Sequence, residues 1–446
     1  MFKSKIFNFS IIILATINDP DGMKVALINT SDAGGGAAEA CMRLLAALLQ
    51  QQVDVSMVVQ NKRRDNDRVY TVQHNAIDKL RSNFNFFCER LPFIAFQERD
   101  RRVRFAFSTA NAGTDISNEP VIRQADILHI HWTNSGFLSI DDLKKLLALN
   151  KPIVWTLHDM WAFTGGCHYA GTCNHFLNQC GNCYFLRKPD NNDISHSGWL
   201  RKSDMYSAAK NISFVTCSNW LGQVAKTSSL LKNASIRVIP NPIDTALFSP
   251  KDKLLMRKKW GVSTDAKIIL FGAANINDRR KGITYLVEAL AILKANHPQG
   301  EKVEMVIFGK NNHFDINTLP FAVTQLNTIT SPNDMAEIYA MADVFVNPSI
   351  EDNLPNTIME AMACGTPCAA FNTGGIPDMI DHQQNGYLAN YKSSADLAAG
   401  LNELLNLKTE QFATAARNKV LREFNNDKVA LQYIDLYRSV LEGSAV

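Results

Sequence analysis

The sequence predicts an α/β protein built from two parallel-sheet domains that face each other across a cleft. Three observations predict this. Residues 24–29 form a short apolar run that enters the loop Gly34-Gly35-Gly36. A helical stretch follows, with Ala37, Cys41, Leu44, Leu45, Leu48 and Leu49 on one face, and then a second apolar run at 53–58. Strand, glycine loop, helix, strand is the unit of a parallel sheet. A second series of the same kind begins at Lys267 and turns into a helix after Lys281-Gly282. Finally, the chain has 446 residues, and at roughly 150 residues per domain that length accommodates two to three domains.

Each element follows in order. In the first half, further strands are expected at 126–130, 152–157, 213–217 and 236–239. Pro240-Asn241-Pro242-Ile243-Asp244 breaks the pattern, and Phe248-Ser249-Pro250 reads as a linker. In the second half, strands are expected at 267–272, 303–308, 344–347 and 367–370, with helices between them. Both halves are therefore Rossmann-like. The expected division is an N-terminal extension at 1–22, a first domain at 23–245, a second at 246–428, and a last helix at 429–446 that crosses back to the first domain. A binding site belongs at the carboxyl ends of the strands, between the domains.

Composition narrows the function. Hydrophobic residues make up 46% and charged residues 20%, which is sufficient for packed cores. Lys plus Arg is 46 against 43 for Asp plus Glu, a net charge of +3, so a nucleic-acid partner recruited by global charge is not expected. The apolar run 6–18, preceded by Lys3 and Lys5, is shorter than the about 20 residues of a spanning helix. Residues 1–22 read as an upstream extension ahead of Met23, with a weak membrane-contacting arm as the alternative. The sequon Asn29-Thr30-Ser31 lies beside the glycine loop, where a glycan would be intolerable, so a cytoplasmic protein is expected.

Three motifs carry chemistry. Glycines at 34, 35 and 36 let backbone approach a ligand at a helix N-terminus, although a tight packing turn is an equal reading. Asp278-Arg279-Arg280-Lys281-Gly282 places three cations at a strand end, suited to a diphosphate, with a solvated basic turn an equal reading. The run from Pro348 to Pro367 carries Asp352 in a loop and Glu360 on the following helix. Asn356 and Thr357 at its start offer N–H groups to a phosphate.

Taken in this order, the Gly34-Gly35 loop, His158-Asp159, Pro240-Asn241-Pro242-Ile243-Asp244, Lys281-Gly282 and the run 348–377 resemble the retaining GT-B nucleotide-sugar glycosyltransferases of glycosyltransferase family 4. The resemblance covers residues 23 to about 437. It implies a donor diphosphate held by Lys281 and Arg280 and, from the other domain, by the loop of Gly35 and Gly36. It further implies a ribose on Glu360, a donor sugar on Asp352 and the backbone of Asn353 and Leu354, and His158 beside the reacting sugar. Asp352 stands where the family usually has Glu. Ala273 and Ala274 stand where it often has an Arg, which Arg279 or Arg280 would replace. Catalysis of this kind requires no cofactor. The implied substrates are a nucleotide-diphosphate sugar and a glycan or lipid-linked acceptor, in cell-surface polysaccharide synthesis. A GT-B nucleotide-sugar epimerase and a non-catalytic nucleotide-sugar binder are the alternatives.

Two further clusters stand out. Cys167, Cys173, Cys180 and Cys183 fall in a Cys-rich insertion at 165–185, spaced C-x5-C-x6-C-x2-C. In a reducing compartment a structural tetrathiolate zinc is the favoured reading, ahead of free or redox-active thiols and of disulfides. Residues 81–107 hold seven Phe and six Arg against three acids. Either Phe84, Phe86, Phe87, Phe93 and Phe96 are core beneath a solvated Arg face, or the segment meets a lipid-linked acceptor at the inner membrane face. His129 and His131 either line the cleft or cap a sheet edge.

Overall fold

The computed structural model describes residues 22–97, 103–296, 300–311, 313–406 and 409–443; the extension, apart from Gly22, lies outside them. Among the described residues there are thirteen strands: β1 Lys24–Ser31, β2 Asp54–Asn61, β3 Val69–Thr71, β4 Ile127–Ile130, β5 Ile153–Leu157, β6 Ile212–Thr216, β7 Ile236–Val238, β8 Lys267–Asn275, β9 Val303–Lys310, β10 Ala322–Leu326, β11 Val344–Asn347, β12 Cys368–Phe371 and β13 Gly386–Ala389. They form a seven-stranded sheet, β3-β2-β1-β4-β5-β6-β7, and a six-stranded sheet, β10-β9-β8-β11-β12-β13. Every pairing between neighbouring strands is parallel. The expected two parallel-sheet units are therefore observed. The unexpected strands β3, β10 and β13 are at or near sheet edges.

The central strands are buried on both faces, as a parallel sheet covered by helices requires. In β1, Ala26 and Ile28 enter one apolar cluster and Val25 and Leu27 the other, following the two-residue side-chain alternation of a strand. The last helix, Asn426–Leu441, belongs to the first domain's core. Val429, Ala430, Tyr433, Ile434, Leu436 and Tyr437 pack with Cys41, Leu44, Leu45 and Leu48 of the Gly36–Gln50 helix. Burying each large side chain contributes about 1.5–3 kcal/mol, so this return crossing ties the chain's end firmly to its beginning.

In both sheets the strand order reverses beside the first strand of its unit, between β1 and β4 and between β8 and β11. Such a switch point opens a crevice at the carboxyl strand ends. The loops after β1, β4, β5, β8 and β11 carry the motif residues, and all five meet there.

Candidate active site between the two domains

The cation loop follows β8. Residues 279–281 form one 3-10 turn, with Asp278 capping the Arg280 N–H. Gly282 closes the turn at φ 70, and a Cβ there would sit 1.8 Å from the Pro348 carbonyl oxygen. Only glycine allows this approach. It sets Lys281 against the acid loop, where Lys281 Nζ meets Asp352 Oδ2 at 2.6 Å. Arg280 pairs with Asp278 at 2.9 Å and its guanidinium lies 5.0 Å over the Tyr169 ring. Arg279 is exposed, so Arg280 is the cation turned towards the cleft.

The acid loop is fixed from three sides. Gly375 N–H donates to the Asp352 carbonyl at 3.2 Å. Gly374, at φ 57, has its would-be Cβ 1.9 Å from that same carbonyl oxygen. The turn Gly374-Gly375-Ile376-Pro377-Asp378 thus lies flat against the loop. From the first domain, Ser218 Oγ donates to Asn353 Oδ1 at 2.5 Å, and Asn353 Nδ2 donates to the His158 carbonyl at 3.2 Å. Leu354 is buried in the second domain's core. Asn347 donates to Thr357 Oγ1 at 3.3 Å, and Asn356 Nδ2 donates to the Gly36 carbonyl at 3.1 Å.

Helix starts divide into two kinds. Those after Asn75, Ser139, Asp193, Ser218, Asp252, Ser331 and Asn425 carry a side-chain cap. The three after Gly35, Gly282 and Pro355, whose start residues come together at the cleft, carry none, and neither does the five-residue helix after Glu119. The first-turn N–H groups of those three face the crevice with the positive end of the helix dipole. Glu360, one turn along from Asn356, accepts from Tyr339 Oη at 2.8 Å and pairs with Arg43 of the first domain. Burial, and then Glu360, raise the Tyr339 phenol well above its usual range, so it stays protonated and donates.

His158 follows β5, where it was expected, but its ring nitrogens turn inward. Nε2 meets His131 Nδ1 at 3.0 Å, and Nδ1 lies 3.7 Å from Cys217 Sγ. Burial lowers His158 to about 4 and His131 well below its usual value, so one neutral ring donates and the other accepts. His129 does not line the cleft. It is fully buried, bonded to Tyr437 Oη and Thr156 Oγ1 at 2.7 Å each, and burial lowers it to about 3. Its residue type serves the return helix. Asp159 stays below the ordinary carboxylate range although burial pushes it up, because His168 lies 2.7 Å away.

Cys167, Cys173, Cys180 and Cys183, the residues expected to hold zinc, fall near one another. Among the described residues, no three His, Cys, Asp or Glu are arranged to hold a metal ion. All four cysteines are free thiols. They pack into apolar clusters with Phe107, Phe163, Phe176 and Leu186. Burial pushes Cys180 to about 11 and Cys183 to about 12, which keeps both protonated and apolar in character. The insertion also contributes polar contacts to the cleft: Gly171 N–H donates to Glu351 Oε1 at 3.0 Å, and Tyr169 stacks beneath Arg280. Sequence reading missed Arg43, Tyr339 and Tyr169. Tyr339 and Arg43 sit mid-helix with no motif around them; Tyr169 lay in plain view beside the cysteines.

The basic aromatic segment divides. Phe93 and Phe107 are buried and stacked at 5.1 Å, whereas Phe84, Phe86 and Phe87 are exposed. The Ala76–Leu91 helix turns Ser82, Asn85 and Glu89 inward and Ile77, Leu80, Phe84 and Phe87 outward. The Phe96 side chain lies outside the described residues. Among the described residues no helix is long and apolar enough to cross a membrane.

Comparison with known proteins agrees with this architecture. The glycosyltransferase family 4 pattern matches residues 34–247, and the pattern of glycosyl transferases group 1 matches residues 266–407. Sucrose-phosphate synthase from Thermosynechococcus elongatus superposes with a TM-score of 0.64 at 19% identity, covering 95% of this chain and 100% of that one. The chain carries the GT-B fold of the group 1 and family 4 glycosyltransferases. Another protein of this fold, Anabaena HepE in complex with UDP and glucose, superposes with a TM-score of 0.57 at 17% identity over 94% of this chain and 100% of that one. In sequence, the N-acetyl-alpha-D-glucosaminyl L-malate synthase of Bacillus anthracis is 25% identical over 333 residues, 71% of this chain and 75% of that protein. A D-inositol 3-phosphate glycosyltransferase of Pseudarthrobacter chlorophenolicus is 32% identical over 178 residues, 38% of this chain and 41% of that protein.

Proposed function

We propose that this GT-B protein transfers a glycosyl group from a nucleotide-diphosphate sugar to a glycan or lipid-linked acceptor, with retention at the anomeric carbon, in cell-surface polysaccharide synthesis. The observation that carries the proposal is the meeting of Lys281 and Asp352 at 2.6 Å, beside Arg280, where three uncapped helix starts converge. A diphosphate fits that field. Lys281 and Arg280 neutralise it, and the first-turn N–H groups after Gly35 and Pro355 flank it. Asp352 and the Asn353 backbone take hydroxyls of the donor sugar, and Glu360 takes the ribose.

The chemistry follows from what these groups offer. The bond from the anomeric carbon to the phosphate oxygen breaks as the acceptor oxygen bonds the same face of that carbon. The acceptor proton passes to the departing phosphate. Lys281 and Arg280 stabilise the charge that grows there, which is electrostatic catalysis without a protein nucleophile. The inward-turned His158 ring disfavours the epimerase alternative, which needs an acid or base aimed at the sugar. Here His158 and its carbonyl shape the wall beside Asn353. The relatives' names, a malate glycoside synthase and an inositol phosphate glycosyltransferase, support glycosyl transfer and leave the acceptor to experiment.

The inverted Ala76–Leu91 helix supports a lipid-linked acceptor met at the inner face of a membrane. Its exposed Ile77, Leu80, Phe84 and Phe87 form one apolar stripe with Lys79 and Arg81 beside it. Two assays test the proposal. A panel of UDP-, ADP- and GDP-sugars should include one that raises the melting temperature and is hydrolysed or transferred; stabilisation by none of them refutes the donor reading. Anionic vesicles should retain the wild-type chain and release Phe84→Ser/Phe87→Ser; equal retention refutes the membrane face.

A further inference from the structure

Glu360 does not act from its own domain alone. Its Oε2 accepts from Tyr339, and its Oε1 is paired with Nη2 of Arg43, from the Gly36–Gln50 helix. The Arg43 side chain is 13% exposed, and its guanidinium lies 5.1 Å over the ring of Phe248, which holds its plane. Its other terminal nitrogen, Nη1, is buried and meets no acceptor in the protein. Buried charged donors are normally paired, and one left without an acceptor beside the Glu360 carboxylate points to a ligand.

We infer that Arg43 and Glu360 together bind the vicinal hydroxyls of the donor ribose, with Arg43 Nη1 donating to a hydroxyl oxygen while Glu360 accepts the hydroxyl protons. The inference rests on the reading of Glu360 as the ribose residue. A carboxylate only accepts and has about four lone-pair sites, of which Tyr339 and Arg43 use two. A ribose diol brings two O–H donors for the remaining sites and oxygen lone pairs that need a donor. Arg43 Nη1 supplies that donor. A phosphate suits the position less well, because the Glu360 carboxylate would stand beside it. The neutral diol suits a site whose charges already cancel. The nucleotide would then join the domains, with the ribose touching a residue of each.

The test pairs substrate deletions with variants of the full chain. Binding of UDP, GDP and ADP is measured by calorimetry. For the nucleotide that binds, its 2′-deoxy and 3′-deoxy forms are measured on wild type, Arg43→Gln and Arg43→Lys. Removing the contacted hydroxyl should weaken wild-type binding about tenfold or more, and should weaken Arg43→Gln binding at least about threefold less. Uniform loss of affinity through misfolding leaves this ratio unchanged, so the ratio isolates the contact. Arg43→Lys keeps a cation beside Glu360 and serves if the Gln variant does not fold; the same narrowing is expected. An identical penalty in all three proteins overturns the Arg43 inference and leaves the Glu360 reading standing. A wild type that binds nucleotide but ignores both deletions overturns the Glu360 reading and the inference with it. A wild type that binds none of the three nucleotides overturns the donor reading itself.

Discussion

Acid should destabilise the first domain well before its carboxylates titrate. His129, His131 and His158 stack at centroid distances of 4.3 and 5.3 Å at the ends of β4 and β5. Burial lowers His129 to about 3 and His158 to about 4, from an ordinary 6.5, and lowers His131 well below that value. The unfolded chain therefore takes up these protons first as pH falls. Stability from the neutral rings is fully present above pH 6.5 and is lost below it, down to the folded values. For one ring with a folded value of about 4, the loss between pH 7 and pH 5 comes to about 2 kcal/mol, and three independent rings reach roughly 6 kcal/mol at most. That is a large fraction of the roughly 5–15 kcal/mol that holds a domain together.

The assay is urea unfolding at pH values from 7.5 to 5.0, followed by tryptophan fluorescence. Five of the six tryptophans, at 132, 155, 161, 199 and 220, precede the linker, and Trp155 Nε1 donates to the His131 carbonyl at 3.2 Å. Between pH 6.5 and 5 the unfolding free energy should fall by up to about 1.4 kcal/mol per pH unit for each buried ring. His158→Asn should reduce that slope by one proton's share. A flat or rising free energy across this window, or an unchanged slope in His158→Asn, would show that these rings are not held neutral by the fold.

Other perturbations test the site and its supports. Lys281→Ala should weaken binding of the donor nucleotide about 10- to 100-fold and lower kcat further, measured by calorimetry and product assay, because it removes the charge at the diphosphate and leaves Asp352 unpaired. Gly374→Ala places a Cβ on the Asp352 carbonyl at a positive φ; activity should fall more than tenfold with a melting temperature lowered by only a few degrees, and wild-type kinetics would contradict the close packing seen here. Tyr437→Phe removes the His129 Nδ1 bond inside the first domain's core and should cost about 1–2 kcal/mol in urea unfolding, with nucleotide affinity unchanged.

Long apolar runs announced their strands because both faces of a central parallel strand are buried, so β1, β8 and β11 were readable without their neighbours. Of the edge strands, β7 was expected and β3, β10 and β13 were not. In β10 no residue is fully buried, and β3 is three residues long, so neither has an apolar signature. The site was legible where glycine or charge marked a loop. The Lys281–Asp352 pair joins two such loops 71 positions apart. Arg43, 317 positions from Glu360, was illegible because its helix pattern gives no reason to single out one polar residue. The cysteine spacing leaves the role of that cluster open for a physical reason: a small side chain that packs apolar surfaces is the same residue type as a metal ligand, and spacing alone does not separate them.

Both acids assigned to the donor already hold a cation within the protein, Asp352 from Lys281 and Glu360 from Arg43. On the proposed reading, donor binding at this cleft is therefore an exchange rather than an addition. A ligand that strips one partner from a buried pair without replacing it leaves an uncompensated charge, at a cost of about 3–5 kcal/mol. A free neutral sugar offers Asp352 hydroxyls but nothing to Lys281, so it gains little. A nucleotide-diphosphate sugar brings the diphosphate that Lys281 needs together with the hydroxyls that Asp352 needs, and both exchanges balance at once. In the inferred ribose contact Arg43 and Glu360 would stay paired while a diol bridges their remaining valences. The same pairs that hold the cleft in one arrangement without substrate thus discriminate against partial substrates, and specificity for the complete donor follows from the cost of leaving any one of these charges alone.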